Sequence, residues 1–156
     1  SYKETDFFSY GLNEQFVQDN HSFSKINVIR GLHFQMNPYS QGKLVRCTQG
    51  KVWDVAVDLR RNSSDFLQWY GLYLTSENQK MLYIPPGFAH GFAVVSQIAE
   101  VQYKCTSEYK PDYDGGIRFD DPLLSINWPI KQQEAIVSNK DKKLPTIQEM
   151  GEEFAL

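Results

Sequence analysis

The sequence predicts an all-β domain, built as a sandwich or a barrel. Runs rich in β-branched and aromatic residues recur at short intervals, separated by clusters of Pro, Gly, Asn and Ser. Between residues 28 and 106 no helical pattern is long enough for the crossovers that a parallel sheet requires. The even composition of the 156 residues, without repeats or linker-like stretches, indicates one domain over 1–156.

Seven strands are predicted in the first two thirds of the chain, in the order 28–35, 44–48, 51–59, 68–75, 80–84, 91–96 and 99–106. The second and third are expected to form a hairpin, because they flank a two-residue turn that contains Gly50. Along the third strand the side chains alternate, so Trp53 and Val55 share one face and Asp54 lies on the other. Helix signals are weak: residues 145–150 predict a short helix, and a turn is expected over 4–10.

Composition and charge exclude several classes of partner. The formal net charge of -3 gives no basic footprint for a nucleic acid. No apolar run approaches the length of a membrane span, and the first residues lack the apolar stretch of a signal peptide. Cys47 and Cys105 are far apart and form no CxxC pair. We therefore expect a reduced, cytoplasmic protein that binds neither nucleic acid nor membranes.

The three histidines are candidates for acid–base chemistry. Strand alternation places His33 with Gln35 on the polar face of its strand, opposite Leu32. This pattern leaves a catalytic and a structural interpretation of His33 equally open, whereas His21 and His90 are interpreted as structural.

A tyrosine on the last predicted strand is a further candidate. Alternation puts Tyr103 on an inward, mostly apolar face together with Val101 and Cys105. A buried phenol needs a hydrogen-bonding partner, and either a structural group or a substrate satisfies that need.

Metal, nucleophile and phosphate motifs are absent from the sequence. It contains no closely spaced histidine pair, so we expect a metal-free site, and the cysteines are more typical of small buried groups than of zinc ligands. No GxSxG motif and no Walker or Rossmann glycine pattern occurs. A phosphate would therefore be bound by side chains, and the candidates are Arg30, Lys43, Gln18 and Asn20. The alternative for each of them is a solvated surface position without a ligand.

Nine motifs, taken together and in order, resemble one known family. They are FVQDNHS (16–22), VIRGLHFQ (28–35), QGKLVR (41–46), VAVDLR (55–60), IPPGFAHGF (84–92), YKCT (103–106), DDP (120–122), INWP (126–129) and SNKD (138–141). The chain is similar to the dTDP-4-dehydrorhamnose 3,5-epimerases and related dTDP-4-keto-6-deoxy-sugar epimerases over nearly everything after residue 15. The resemblance implies a cupin-like jelly-roll barrel, with 145–150 as a short peripheral helix, and chemistry without a cofactor.

The resemblance also implies the catalytic groups. His33 of the RGLH motif corresponds to the general base, and Asp141 of the SNKD motif to its hydrogen-bonded partner. Tyr103 corresponds to the acid that returns a proton to the opposite face of the sugar. Lys43 corresponds to the group that stabilises the enolate oxygen, and Asp54 to a carboxylate that keeps this lysine protonated and oriented.

Further positions correspond to substrate contacts in the family. Gln18, Asn20 and Arg30 match contacts to the diphosphate and sugar, and Tyr109 matches a ring that stacks near the thymine base. His90 matches a second pocket histidine with a supporting role. The implied reaction converts dTDP-4-keto-6-deoxy-D-glucose to dTDP-4-keto-L-rhamnose.

The family also implies a homodimer with an exchanged N-terminal arm. Glu4 matches the end of that arm, but the arginine that precedes it in the family is missing, so we expect residues before Ser1 to be absent from this sequence. Three alternatives stay open: a 3-epimerase for another deoxysugar, a sugar-nucleotide-binding barrel without catalysis, and a 3,4-ketoisomerase. Tyr103 and the pair of His33 and Asp141 disfavour the ketoisomerase.

Overall fold

Ten strands carry most of the regular structure in the computed structural model, which describes residues 2–151. They are β1 Gln18–Lys25, β2 Val28–Gln35, β3 Lys43–Gln49, β4 Lys51–Asp58, β5 Trp69–Thr75, β6 Met81–Ile84, β7 Phe88–Val94, β8 Ile98–Cys105, β9 Asp114–Gly116 and β10 Ile136–Val137. The helical segments are α1 Glu4–Ser9, α2 Ile147–Met150 and three 3₁₀ turns at Pro111–Tyr113, Gln132–Glu134 and Asp141–Lys143.

The strands form two sheets that face each other. The small sheet has the order β1-β8-β3-β6 and is antiparallel throughout. The large sheet has the order β10-β2-β7-β4-β5, with β9 paired to β2, and only its β10–β2 pair is parallel. From β1 to β4 the chain changes sheet at every step, as it does again from β5 to β8. This arrangement confirms the predicted all-β jelly roll.

The predicted hairpin between the second and third predicted strands is wrong. Strand β3 pairs with β6 and β8, whereas β4 pairs with β5 and β7 in the other sheet. Gly50 lies at the corner where the chain passes between sheets, with φ of 76°, and a Cβ there would stand 2.1 Å from the carbonyl oxygen of Ile98. The turn residues correctly mark a sharp change of direction, but they do not identify the strands that supply the ladder hydrogen bonds.

The remaining predicted strands are confirmed to within a few residues at their ends, while three strands were not predicted. β1 has the sequence QDNHSFSK, which lacks an apolar alternation, and β9 and β10 are only three and two residues long. The predicted C-terminal helix is confirmed in α2, where Thr146 and Glu149 form a capping box. Residues 4–9, expected as a turn, form α1.

Apolar side chains cover both faces of the large sheet. Between the two sheets lies an inner core whose buried members include Val45, Val52, Ile84, Phe92, Val94 and Val101. On the opposite face an outer core includes Leu32, Phe34, Val55, Val57, Leu59, Ile117, Leu124 and Ile147, so the C-terminal part of the chain packs over this face. The alternation predicted for β4 is confirmed, because Val55 is in the outer core and Asp54 points to the inner side with buried His90.

Candidate active site

A bulge in β2 turns the side chain of His33 toward the space between the sheets. Arg30 pairs with Phe92 and His33 pairs with His90, so β2 contains one residue more than β7 between these two pairs. Gly31 lies within the bulge with φ of 114°, and a Cβ there would stand 2.6 Å from Cα of Gly91. The extra residue lets Arg30 and His33 share a face while Leu32 remains in the outer core.

His33 and Asp141 form a hydrogen-bonded pair. Nε2 of His33 lies 2.8 Å from Oδ1 of Asp141, whose other oxygen accepts the backbone N–H of Gly31 at 3.2 Å. The backbone N–H of Asp141 donates to Oγ of Ser138 at 3.0 Å, which fixes the turn that carries the carboxylate. Burial opposes the charge of this carboxylate, but the hydrogen bond and charge of His33, together with the interactions of Gly31 and Ser138, outweigh it and lower the pKa of Asp141. With Nε2 bonded to the carboxylate, Nδ1 is the ring atom able to take up a proton.

The ammonium group of Lys43 is buried next to this pair. Lys43 is 6% exposed, and its Nζ donates to the carbonyl oxygen of His33 at 3.3 Å. Burial lowers the pKa of Lys43, while the negative potentials of Cys105, Asp114 and Asp54 act in the opposite direction. A desolvated cation therefore stands beside the strand that carries the imidazole.

Asp54 and His90 form a second, fully buried pair on the inner face of the large sheet. Nε2 of His90 lies 3.0 and 3.1 Å from the two carboxylate oxygens of Asp54. The charge of Asp54 raises the pKa of Lys43 against the effect of burial, in the direction expected of a carboxylate that keeps this lysine protonated, while the hydrogen bonds of Asp54 go to His90. The imidazole of His90 also meets the ring of Tyr103, with centroids 6.0 Å apart and planes at 69°.

One cavity of about 310 Å³ opens between the sheets. Six residues singled out from the sequence line it: Gln18, Asn20, His33, Lys43, Tyr103 and Tyr109. Five others complete the wall: Phe34, Gln35, Gln41, Asp114 and Lys140. The base candidate, the lysine and the phenol therefore face one compartment. Asp141 and His90 stand behind this wall, in contact with His33 and Tyr103, and Asp54 is hydrogen-bonded to His90.

Tyr103 is suited to donate a proton. It projects from β8 on the inner face, as the alternation predicted, and lines the cavity together with His33. Burial raises the pKa of its phenol, so the hydroxyl stays protonated at neutral pH.

Two expected contact residues lie outside the cavity wall of the single chain. The guanidinium of Arg30 donates from Nε to Oγ of Ser24 at 2.9 Å and from a terminal nitrogen to the carbonyl oxygen of Phe23 at 3.1 Å. The positive charge of Arg30 nevertheless reaches Tyr103, where it partly offsets the increase in pKa that burial causes. Glu4 lies in the first turn of α1 and is exposed, so one chain by itself does not bring it to this site.

The sequence reasoning missed an ion pair at the cavity wall. Lys140 bonds to Oδ2 of Asp114 at 2.5 Å, and the hydroxyl of Tyr109 donates to the same oxygen at 3.2 Å. Lys140 immediately precedes Asp141 in the SNKD motif, and this adjacency was the available signal. Asp114 carried no signal, because β9 is too short to be recognised from alternation.

Residues 2–151 contain neither a metal-binding cluster nor a membrane-spanning helix. That part of the chain contains no cluster of three or more His, Cys, Asp or Glu side chains arranged to hold a metal ion. Neither of its α-helices has the length and apolar character needed to span a bilayer.

Comparison with known proteins gives one consistent result. Residues 1–149 match the family model described as dTDP-4-dehydrorhamnose 3,5-epimerase. The enzyme of that name from Escherichia coli is 53% identical over 140 residues, covering 90% of this chain and 75% of the relative. The one from Methanothermobacter thermautotrophicus is 47% identical over 150 residues, covering 96% and 80%.

A solved structure agrees with the sequence matches. The crystal structure of a dTDP-6-deoxy-D-glucose-3,5-epimerase from Legionella pneumophila, in complex with dTDP-4-keto-L-rhamnose, superposes with a TM-score of 0.89 at 43% identity. The match covers 95% of this chain and 78% of that protein.

Proposed function

Because the chain belongs to the dTDP-4-dehydrorhamnose 3,5-epimerase family, we propose that its cavity binds dTDP-4-keto-6-deoxy-D-glucose and inverts carbons 3 and 5. The protein is an isomerase of nucleotide sugars, and its product is dTDP-4-keto-L-rhamnose, the precursor of dTDP-L-rhamnose. The observation that carries the residue assignments is the convergence of His33, Lys43 and Tyr103 on one cavity.

The first step removes a proton next to the ketone. Nδ1 of His33 takes the proton from carbon 3, and the electrons of the C–H bond form a C3–C4 double bond while the carbonyl oxygen becomes an enolate. The imidazolium that results is stabilised by the carboxylate of Asp141, which lies 2.8 Å from Nε2. The ammonium of Lys43 stabilises the enolate oxygen in a desolvated setting, where such an interaction is strong.

The second step inverts the carbon. Tyr103 delivers its phenolic proton to the opposite face of the enolate, the carbonyl forms again, and the configuration of carbon 3 is changed. Exchange with water returns the imidazolium and the phenolate to their starting states, and the same sequence then operates at carbon 5. His90 and Asp54 support the phenol from behind through the ring contact of His90.

The nucleotide half of the substrate occupies the polar part of the cavity. Gln18 and Asn20 lie on β1 at its wall and are assigned to the diphosphate and sugar, and Arg30 supplies positive charge near Tyr103. Tyr109 is assigned to the thymine base.

The proposed active form is a homodimer in which N-terminal arms are exchanged, with Glu4 contributing to the partner's site. Two observations support this proposal: the chain belongs to the family, and Glu4 is exposed and is absent from the cavity wall of its own chain. We also propose a cytoplasmic location, in keeping with two free and buried thiols at Cys47 and Cys105.

The decisive experiment follows the substrate by proton NMR in heavy water. The wild-type protein is expected to introduce deuterium at carbons 3 and 5, and addition of a 4-ketoreductase is expected to yield the L-rhamno product. His33→Ala removes the base and should abolish exchange, whereas Gln132→Ala, which loses an exposed bond to Asp120, is the control that should not.

Three other outcomes would redirect the assignment. Exchange at carbon 3 alone would indicate a 3-epimerase, and migration of the carbonyl would indicate a 3,4-ketoisomerase. Binding of dTDP without any exchange would indicate a non-catalytic binding barrel.

A further inference from the structure

The loop that follows β8 is held by side-chain amides at four consecutive residues. Each of residues 107 to 110 has one backbone group bonded to a glutamine side chain, and the three glutamines come from three separate parts of the chain. The bonds are Gln41 Nε2 to Ser107 O at 2.8 Å, Gln35 Nε2 to Glu108 O at 3.0 Å, Tyr109 N to Gln18 Oε1 at 2.8 Å and Lys110 N to Gln35 Oε1 at 2.7 Å. We name residues 107–110 the amide-held loop.

Gln35 is the central member of this arrangement. It is 2% exposed, and its Nε2 also donates to the carbonyl oxygen of Tyr39 at 2.6 Å, so both donors and the acceptor of its amide are used. Gln35 thus ties the amide-held loop to the segment that leads into β3 and Lys43. An apolar side chain in its place would leave the N–H of Lys110 and two carbonyl oxygens without these partners.

The amide-held loop carries Tyr109 to the cavity wall. The backbone N–H of Tyr109 is bound by Gln18, and its hydroxyl donates to Asp114, which in turn pairs with Lys140. The residue is therefore fixed at its backbone and at the tip of its ring, although it is 48% exposed. Because the ring is already fixed, it loses little conformational entropy when a flat partner stacks on it. A smaller entropy loss gives tighter binding.

We propose that Gln35 is a positioning residue for the nucleotide, acting through the amide-held loop to present Tyr109 in a binding-ready position. This inference rests on the proposed function, because the nucleotide contact of Tyr109 is assigned there. It predicts an effect on affinity and not on the chemical step. The pair of His33 and Asp141 is fixed independently, by the N–H of Gly31 and by Ser138.

The test is a double-mutant cycle with Gln35→Leu, Tyr109→Ala and the combined variant. The probe is dTDP, whose Kd is measured by calorimetry, alongside kcat and KM for the sugar nucleotide. Each single variant is expected to raise Kd and KM about tenfold while kcat changes less than about threefold. The combined variant should bind no more weakly than the weaker single variant, because both changes remove the same interaction.

The contrary results are equally definite. Additive losses in the combined variant would mean that Gln35 acts on binding independently of Tyr109, and a fall in kcat at constant KM would mean that it serves the chemical step. Either result overturns the proposal. Gln132→Leu, which changes an exposed glutamine that does not line the cavity, is the control and should leave Kd unchanged.

A second variant covers a failure of Gln35→Leu to fold. Gln41→Leu removes one bond to the same loop from a less buried position, and it should show the same KM-selective effect at smaller size. An unchanged Kd in this folded variant and an unfolded Gln35→Leu would together reduce Gln35 to a stability role and overturn the proposal.

The cycle also separates this proposal from the function on which it rests. If Tyr109→Ala leaves the Kd of dTDP unchanged, the assignment of Tyr109 to the nucleotide fails and the proposal fails with it. If the wild-type protein binds dTDP but exchanges no deuterium, the epimerase assignment fails while the effect of Gln35 on Kd stays measurable.

Discussion

Nε2 of His33 lies 2.8 Å from Oδ1 of Asp141, although 108 residues separate them in the chain. The bulge in β2 brings the imidazole to the cavity, and the turn after β10 brings the carboxylate to the imidazole. The contact leaves Nδ1 as the atom that can accept a proton, so the tautomer of the base is set by a residue behind the cavity wall.

The first prediction concerns this tautomer. Asp141→Asn replaces an acceptor with an amide that can donate to Nε2 and so favours the proton on Nδ1, where it blocks abstraction. We expect kcat to fall by roughly 10² to 10⁴. The Kd of dTDP should stay within about threefold, since Asp141 is not among the residues that line the cavity. A kcat close to the wild-type value would show that the carboxylate does not govern the base.

The second prediction separates proton removal from inversion. Tyr103→Phe keeps the ring contact with His90 but removes the phenolic proton. His33 still removes the proton from carbon 3, and after exchange with heavy water it returns deuterium to the same face. We expect deuterium incorporation with retained configuration, and product formation reduced by roughly 10² or more. Inversion at the wild-type rate would assign the acid to another group.

The third prediction is an alkaline limit to activity set by Lys43. Burial lowers the pKa of this ammonium, whereas burial raises the pKa of Tyr103. Because the charged form of Lys43 stabilises the enolate oxygen, kcat/KM should fall as this ammonium loses its proton, at a pH below the usual lysine value. Lys43→Arg keeps the charge to higher pH and should move this limit upward, at a lower kcat. Lys104→Arg, on the outer face, is the control; the same shift in both variants would contradict the assignment.

The residue pattern alone predicted the all-β class and the inward side chains, but not the partnerships between residues. Alternation correctly separated His33 from Leu32 and placed Tyr103 on the inward face of its strand, because it depends only on neighbours within one strand. The pairing of His33 with Asp141 was available only from the family resemblance, since it depends on two distant segments meeting. The same limitation explains the wrong hairpin at Gly50, where a local signal contains no information about the strand partner.

The fourth prediction concerns stability in acid and a carboxylate outside the site. Burial opposes the charge of Asp58, but hydrogen bonds from Arg60 and Ser63 outweigh it and lower the pKa of Asp58 to about 2. Because the pKa is lower in the folded state, its contribution is present above about pH 4 and is lost as the pH falls toward 2.

Removing this carboxylate gives the measurement. Asp58→Asn should lose about 2 kcal/mol of unfolding free energy at pH 7 and should flatten the decline of that free energy between about pH 4 and pH 2. Denaturant titrations at several pH values measure both effects. Asp112→Asn, at an exposed position, serves as the matched variant; an equal loss there would mean that Asp58 has no special contribution.

The last prediction tests the bulge that orients His33. Gly31→Ala would place a Cβ 2.6 Å from Cα of Gly91 and 2.7 Å from the carbonyl oxygen of His90, both backbone atoms that cannot move aside cheaply. The φ of 114° adds strain for any side chain, so we expect a loss of about 3 kcal/mol in unfolding free energy.

Gly11→Ala isolates the strain, because Gly11 has φ of 87° but no atom within 4 Å of the added Cβ, and it should cost about 1 kcal/mol. Where Gly31→Ala remains folded, its kcat should fall more than its affinity for dTDP, because the rearranged bulge moves the imidazole and leaves Gln18 and Tyr109 in place. Equal stability losses in the two variants would show that the close approach of β2 to β7 does not constrain the bulge.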